Sequence, residues 1–341
     1  MSTEILTDKL NRALSDLRIS VIDRCNYRCT YCMPAHEYGA NYRFLNKDEW
    51  LTFDEITRLT KLFTQLGVTK IRLTGGEPLL RPNLTELITQ LNTIEAIEDL
   101  ALTTNGAFLF QHAESLKKAG LKRLTVSLDS IDNDTFIALT GGKGILKDVK
   151  QGLREAERVG FTSIKLNTVV QKGVNEHTIM DLIEYFRDTP HILRFIEYMD
   201  VGTCNDWDKS EVVPSKDILH MISKKYPLKP SESNYYGEVA KRYTYEDNKG
   251  EIGFISSVSQ PFCTECTRAR LSTDGRIYTC LFTNQSTDLR TPLRNGATDV
   301  ELLDLIRSIW EKRADRYSEI RAKLPKAAIP TDKVEMFHIG G

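Results

Sequence analysis

The feature that most constrains the fold is a repeated alternation of short β-rich runs with helical stretches between about residues 17 and 200. A strand, a helix and a further strand in succession normally form a parallel pair joined by a right-handed crossover. The six predicted strands are, in chain order, 17–23, 69–74, 99–104, 123–128, 163–170 and 192–199. Six units are too few for the standard eight-stranded barrel. The sequence therefore predicts an α/β fold built on an open, partial (β/α)6 barrel, with a doubly wound open sheet as the alternative.

Capping signals place the helices between these strands. Residues 52–55 form a capping-box pattern, and Gly67 supplies the stop for a helix over about 52–66. After residue 200 the pattern changes, because residues 235–262 resemble antiparallel strands with a hairpin turn near 247–250. We therefore divide the chain into a barrel domain, 1–235, and a C-terminal domain, 236–341. Further helices are predicted at about 83–92, 111–119, 133–139, 146–159, 175–187 and 299–312.

Composition excludes several classes of protein. The chain has 341 residues, of which 27% are charged, and a formal net charge of -1, so it is not built to bind nucleic acid or an anionic membrane as a whole. Any anionic substrate must meet a local cluster of arginine and lysine. The first 16 residues lack the apolar stretch of a secretory signal, and no run approaches the roughly 18 apolar residues of a spanning helix. We expect a cytoplasmic protein.

Six of the seven cysteines fall into two tight triplets, which predicts metal centres and not disulfides. The first triplet, Cys25, Cys29 and Cys32, lies in the loop after the first predicted strand. A cubane iron–sulfur cluster takes one cysteine per iron, so three cysteines would leave one iron open to a ligand. A zinc clip and a redox pair made by Cys29 and Cys32 are the alternatives, although the pair leaves Cys25 without a role.

The second triplet, Cys263, Cys266 and Cys280, has the spacing C-x2-C-x13-C. This is near zinc-ribbon spacing, but no fourth ligand is obvious nearby. Arg268 and Arg270 follow within the triplet and would point the same way from a strand. They could grip phosphate groups bidentately, or they could be an ordinary solvated pair.

The carboxyl ends of the strands carry the remaining candidate residues, since ligands bind there in parallel barrels. Residues 75–78, Gly-Gly-Glu-Pro, follow the second strand, and their glycines would let the backbone approach a ligand closely. Ser127 could bind a ligand or cap a helix, and Met199 is the type of residue more often found in a core. Asp129 and Asp132 fit helix starts better than acid–base roles. No histidine or paired-carboxylate constellation is obvious, so the sequence gives no candidate for a catalytic acid or base.

The two motifs at 25–32 and 75–78, in this order, resemble the radical S-adenosylmethionine (SAM) superfamily. In that superfamily the open iron of a [4Fe-4S] cluster chelates SAM, and Gly-Gly-Glu-Pro binds its amino group. Over nearly the full chain the pattern is similar to one family within it, the GTP 3′,8-cyclases of molybdenum-cofactor biosynthesis. The matching segments are 16–20, 23–26, 32–34, 71–78, 102–106, 126–130, 194–199, 263–271, 280–282 and 340–341.

This resemblance implies a C-terminal portion that covers the barrel mouth and carries a second [4Fe-4S] cluster. It implies SAM as cofactor and GTP as substrate, with the open iron of the second cluster facing guanine. The implied ligands and contacts are Cys25, Cys29 and Cys32 for the first cluster; Cys263, Cys266 and Cys280 for the second; Tyr31, Gly76, Ser127 and Met199 for SAM; and Arg18, Arg72, Thr103, Lys165, Arg268 and Arg270 for GTP.

The implied reaction converts GTP to (8S)-3′,8-cyclo-7,8-dihydroguanosine 5′-triphosphate. A 5′-deoxyadenosyl radical takes the ribose H3′, and C3′ then attacks C8 of guanine. The implied partners are a downstream cyclic pyranopterin monophosphate synthase, a flavodoxin or ferredoxin as electron donor, and a second copy in a homodimer. The Gly340-Gly341 tail resembles a finger that enters the site, and Cys204 is expected to be a bystander. A radical SAM enzyme acting on a peptide or other substrate, and a zinc-stabilised binding module, are the alternative functions.

Overall fold

The computed structural model describes residues 5–321 and 332–340, and within them twelve strands form one sheet. The strands are β1 Asp16–Ser20, β2 Lys70–Thr74, β3 Asp99–Thr104, β4 Arg123–Ser127, β5 Lys165–Val170, β6 Ile192–Glu197, β7 Leu228–Ser231, β8 Lys241–Tyr245, β9 Glu251–Ile255, β10 Arg268–Leu271, β11 Arg276–Tyr278 and β12 Thr287–Asp288. Across the sheet their order is β12-β11-β10-β1-β2-β3-β4-β5-β6-β9-β8-β7.

Each predicted helix is present, with ends that differ by a few residues. The segment predicted as a helix over 175–187 begins with the 3-10 turn Glu176–Thr178 before the α-helix starts. The helices are α1 Phe53–Gln65, α2 Leu84–Asn92, α3 Leu109–Lys118, α4 Asn133–Leu139, α5 Leu146–Arg158, α6 Ile179–Phe186, α7 Ser215–Ser223, α8 Arg290–Arg294, α9 Asp299–Lys312, α10 Tyr317–Ile320 and α11 Met336–Ile339. No helix of the described residues is both long and apolar enough to cross a membrane.

Strands β1 to β6 are parallel and lie side by side in chain order. A doubly wound sheet would instead reverse its strand order at a switch point. The partial (β/α)6 barrel is therefore confirmed, and the doubly wound alternative is wrong. Strand β1 is shorter than predicted and ends at Ser20, where the N–H of Val21 turns to the carbonyl of Thr74.

The parallel strands separate apolar from polar side chains by their two-residue period. In β1, Leu17 and Ile19 are fully buried in the core shared with the helices, whereas Asp16 and Arg18 on the other face are only half-buried. In β2, Lys70 and Arg72 repeat this arrangement. The inner face of the barrel is therefore lined with charged and polar groups.

Strands from beyond residue 200 join both edges of this barrel sheet. Strand β9 pairs in parallel with β6, and β10 pairs in parallel with β1. The pairing of β10 carries the second cysteine triplet to the edge where the chain begins. The division of the chain at residue 235 stays a prediction.

Candidate functional site

Both cysteine triplets line one cavity at the inner face of the sheet. All their thiols are free and half-buried: Cys25, Cys29, Cys32, Cys263, Cys266 and Cys280. The structure thus brings together two motifs that lie in opposite thirds of the sequence.

In the first triplet, the sulfur of Cys25 already receives two N–H donors. The backbone N–H of Tyr27 lies 3.4 Å from the sulfur of Cys25, and the side-chain amide of Asn105 lies 3.7 Å from the same atom. Burial raises the pKa of Cys25 to about 12 and raises the pKa of Cys29 and Cys32 well above the ordinary thiol value. A bound metal cation would stabilise the thiolate forms of these buried groups.

Arg28 fixes the shape of this loop, a role that sequence reasoning missed. Its guanidinium donates to the carbonyl oxygens of Tyr27 at 2.7 Å, Cys25 at 2.8 Å and Tyr38 at 2.8 Å. Within residues 5–321 and 332–340, no three His, Cys, Asp or Glu side chains converge closely enough to hold one metal ion. The fit of this loop to an iron–sulfur cluster rests on its thiol donors, their shared cavity and the N–H groups aimed at Cys25.

The Gly-Gly-Glu-Pro turn supports the cysteine loop from beneath. The N–H of Gly76 donates to the carbonyl of Ile22 at 2.8 Å, and a Cβ at Gly76 would lie 2.2 Å from the carbonyl oxygen of Arg24. The glycines are therefore required first by contact between two backbone segments. From the sequence we expect these glycines to let a ligand approach the backbone. That reason can also apply, because Gly75 and Gly76 line the cavity.

Glu77 joins the ends of β2 and β3. Its buried carboxylate accepts the N–H groups of Leu79 at 3.0 Å and Asn105 at 2.7 Å and the hydroxyl of Thr104 at 2.7 Å. Burial raises the pKa of Glu77 to about 7 in spite of these donors. The geometry of the turn is thus held by one internal carboxylate.

Tyr31 and Asp129 form a buried pair at the cavity wall. The Tyr31 hydroxyl donates to Asp129 at 2.7 Å, and the N–H of Val169 donates to the other carboxylate oxygen at 2.8 Å. Asp132 caps α4 as predicted, by accepting the N–H of Thr135. The prediction that Asp129 starts a helix is wrong, because its carboxylate binds Tyr31 and β5 instead.

The two other predicted SAM contacts also face the cavity. Ser127 lies at the end of β4 and lines the wall, while the helix that follows has Asp132 as its cap. Met199 lines the wall and packs partly buried against Val201, Phe282 and Tyr317. Their roles as SAM contacts stay predictions.

Three arginines stand in one row across neighbouring strands. The register places Arg270 of β10 beside Arg18 of β1, and Arg18 beside Arg72 of β2. Burial lowers the pKa of Arg18 well below its usual value, and the charges of Arg270, Arg72 and Arg268 lower it further. Adjacent guanidinium groups repel one another, and a bound anion would reduce this repulsion. Arg268 and Arg270 line the same cavity, as the strand periodicity predicts.

Thr103 lies on β3, beside the arginine row, and Lys165 lies on β5, further along the sheet. Arg72 donates to the hydroxyl of Thr103 at 3.2 Å. Lys165 shares a face of β5 with Asn167 but lies outside the cavity wall formed by the described residues. Burial lowers the pKa of Lys165 to about 7, and the charge of Arg194 and two other arginines adds to the effect. Arg194 also lines the cavity and donates to the side-chain oxygen of Asn167 at 2.7 Å. It lies in the matching segment 194–199, but it was not predicted to be a site residue.

The second triplet has an uneven electrostatic environment. The sulfur of Cys266 receives guanidinium N–H groups from Arg313 at 3.1 Å and Arg268 at 3.5 Å. Burial would raise the pKa of Cys266, but these two charges outweigh it and lower the pKa to about 6. Burial raises the pKa of Cys280 to about 12, and Asp315 adds to the shift.

The C-terminal segment enters the site from the side of β1. Arg270 donates to the carbonyl of Ile339 at 3.4 Å and also to that of Gly340. A Cβ at Gly340 would lie 1.8 Å from the hydroxyl of Thr74, so only glycine fits there. Gly341, the other half of the predicted finger, lies outside the described residues. Cys204 lies nearby, with its sulfur 3.6 Å from the carbonyl of Cys32.

Comparison with known families divides the chain at about the middle. A model of the Radical SAM superfamily matches residues 19–186. A model named Molybdenum Cofactor Synthesis C matches residues 191–319. The two matches together span both cysteine triplets, Arg72 and Arg270, and the first match begins one residue after Arg18.

Full-length relatives carry one name. A GTP 3′,8-cyclase of Staphylococcus saprophyticus is 49% identical over 339 residues, which is 99% of this chain and 99% of that protein. A GTP 3′,8-cyclase of Xanthomonas campestris pv. campestris is 50% identical over 341 residues, 100% of this chain and 99% of that protein. Among solved structures, Streptococcus suis SuiB bound to S-adenosylmethionine has a similar fold, with a TM-score of 0.62, 16% identity, and coverage of 93% of this chain and 70% of that one.

Proposed function

Because the chain belongs to the GTP 3′,8-cyclase family of radical SAM enzymes, we propose that it cyclises GTP to (8S)-3′,8-cyclo-7,8-dihydroguanosine 5′-triphosphate in molybdenum-cofactor synthesis. The observation that carries this proposal is the row formed by Arg270, Arg18 and Arg72 at the wall of the cavity shared by both cysteine triplets. A triphosphate is the kind of ligand that would neutralise such a row.

We assign one [4Fe-4S] cluster to Cys25, Cys29 and Cys32 and a second to Cys263, Cys266 and Cys280, all of which line the cavity. When bound, the first cluster and SAM supply the 5′-deoxyadenosyl radical that removes H3′, so that C3′ can bond to C8 of guanine. The thiols and the N–H groups that face them would hold the clusters. A flavodoxin- or ferredoxin-like electron donor, the downstream synthase and a homodimer belong to this proposal as well.

The remaining residues bind and orient. Tyr31, Gly76, Ser127 and Met199 would hold SAM beside the first cluster, since all four line the cavity. The triphosphate would lie against the arginine row with Thr103, Arg268 and Lys165 near it. Hydrogen-atom transfer requires no side chain of tuned pKa, so the proposal assigns no side chain as a catalytic acid or base. Glu77 and Asp129 are buried, so we assign them a structural role in holding the cavity wall.

The test is anaerobic incubation of the iron-loaded chain with GTP, SAM and a reductant. We expect 5′-deoxyadenosine and the cyclised nucleotide, both dependent on GTP, in a protein that holds about eight irons. Loaded protein that makes no GTP-dependent 5′-deoxyadenosine would contradict the proposal. Formation of 5′-deoxyadenosine with a peptide instead of GTP would favour the alternative radical SAM function.

A matched pair of variants tests the arginine row. Arg18→Gln removes the central guanidinium and should weaken GTP binding at least tenfold without loss of iron, because charge-assisted phosphate contacts contribute about 1.5–3 kcal/mol each. Arg58→Gln is the control, since Arg58 pairs with Asp299 at the surface. Equal GTP affinity in the two variants would remove Arg18 from the substrate site.

A further inference from the structure

Arg313 donates three hydrogen bonds to the segments that carry the second cysteine triplet, although it lies in a part of the sequence without a recognisable motif. It follows the end of α9, and its side chain is 1% exposed. The guanidinium donates to the sulfur of Cys266 at 3.1 Å, to the carbonyl of Cys266 at 2.7 Å and to the carbonyl of Thr279 at 3.1 Å. It therefore bridges the chain beside Cys266 and the residue before Cys280.

A buried carboxylate fixes this side chain. Asp8 binds Arg313 at 3.1 Å and Arg12 at 2.6 Å, and the side chains of Asp8 and Arg12 are fully buried. The indole of Trp310 lies under the Arg313 guanidinium at 4.5 Å. Arg12 in turn donates to the carbonyl of Cys263 at 2.7 Å. Two guanidinium groups from separate segments thus hold the triplet loop, but Arg313 donates to a sulfur and Arg12 to a backbone oxygen.

The charges around Cys266 are unevenly placed. Asp8 and Asp315 contribute two negative charges against the two positive charges of Arg12 and Arg313, but the sulfur of Cys266 faces the guanidinium of Arg313 and not these carboxylates. Arg268 adds a second guanidinium at 3.5 Å from the same sulfur. Asp315, 3.5 Å from Arg313 and partly exposed, faces the side of Cys280. The positive charge is therefore concentrated on one of the three cysteines.

We propose that Arg313 is a positioning residue that raises the reduction potential of the second iron–sulfur cluster, through its N–H donated to Cys266 and the positive charge that it holds beside that sulfur. This rests on the second cluster of the proposed function. Reduction adds one electron and therefore one negative charge to the cluster and its thiolates, and no proton or ligand needs to leave. A nearby buried cation and an N–H donor to sulfur stabilise the reduced form more than the oxidised form.

The experiment uses the full chain with Cys29→Ala and Cys32→Ala, so that only the second cluster remains. The midpoint potential is measured by redox titration, with electron paramagnetic resonance of the reduced cluster as the signal. Arg313→Lys keeps a cation near Asp8 but loses the fixed guanidinium contact with sulfur. We expect a negative shift that corresponds to about tenfold less reduced cluster at a given potential, which is about 59 mV for one electron.

Two further variants distinguish an electrostatic effect of Arg313 from a loss of rigidity in the loop that carries the second cysteine triplet. Arg12→Lys makes the same change in the partner that binds a carbonyl, and its potential should stay within about threefold of the parent, or about 28 mV. Asp8→Asn keeps Arg313 but removes the compensating negative charge, so its potential should shift in the positive direction. Shifts of the same sign in Arg313→Lys and Asp8→Asn would overturn the proposal, as would unchanged potentials in both.

An iron count keeps this proposal distinct from the proposed function. About four irons in the parent that lacks the first triplet show that the second cluster is present. Absence of iron there would reject the second cluster itself. A full cluster with an unchanged potential in Arg313→Lys would reject only the role of Arg313. If Arg313→Lys does not fold, the sign of the shift in Asp8→Asn decides, because a shift in the negative direction contradicts the proposal.

Discussion

Lys165 lies at the start of β5, where burial and the charges of Arg194, Arg123 and Arg72 lower its pKa to about 7. A triphosphate bound at the arginine row would bring several negative charges among these cations. The bound anion favours the ammonium form and should return the pKa of Lys165 toward its ordinary range. Binding of GTP is therefore expected to take up a proton near neutral pH.

The size of the effect follows from this pKa. At pH 6 about nine tenths of Lys165 is charged in the free protein, and at pH 8 about one tenth, if its pKa is about 7. Because only the charged form binds well, the dissociation constant of GTP should rise about tenfold between pH 6 and pH 8, or about 1.4 kcal/mol. Near pH 7 each bound GTP should take up about half a proton at Lys165.

Isothermal titration calorimetry under anaerobic conditions, in two buffers with different ionisation enthalpies, measures the proton uptake and the affinity together. The γ-phosphate of GTP also titrates in this range, so the wild-type protein is compared with Lys165→Arg, which stays charged. In Lys165→Arg, the measured proton uptake should come only from the γ-phosphate of GTP, and the GTP affinity should depend less on pH. The reasoning is refuted if the two proteins take up the same number of protons at pH 7 and follow the same pH profile.

Three further predictions concern buried contacts. Gly76→Ala should displace the cysteine loop, because its Cβ would lie 2.2 Å from the Arg24 carbonyl, and reduce bound iron from about eight to about four per chain in a colorimetric assay. Glu197→Gln should lower the free energy of unfolding in urea by about 2–4 kcal/mol, because the buried carboxylate accepts three backbone N–H groups. Phe337→Ala removes a ring 5.0 Å from Tyr38. It should speed protease cleavage near the C-terminus while the urea midpoint stays nearly unchanged.

The sequence predicted the barrel well because its signals are local. Strand and helix periods, capping residues such as Thr52, and the stop at Gly67 act within a few residues, and all were found in place. The pairing of β9 with β6 and of β10 with β1 was not predicted. The choice of edge depends on contacts between segments far apart in the chain, which no local pattern encodes.

The candidate site shows the same difference between residues with a local sequence signal and residues placed by long-range contacts. Cysteine spacing and the two-residue period of a strand were enough to predict both triplets and the common direction of Arg268 and Arg270. Arg313 reaches Cys266 over 47 residues of sequence, and an arginine after a helix has no local signal that it turns inward. The turn of Asp129 toward Tyr31, 98 residues away, was missed for the same reason.

The arginine row has a consequence for biosynthesis of the chain. Arg18 and Arg72 emerge early from the ribosome, but Arg270 joins them only when β10 has paired with β1. A growing chain that can already form the first triplet therefore lacks both the complete anion site and the second triplet. Under the proposed function, GTP should bind only after the last quarter of the chain has docked. The first triplet would therefore be complete while the substrate site stays incomplete until synthesis is nearly finished.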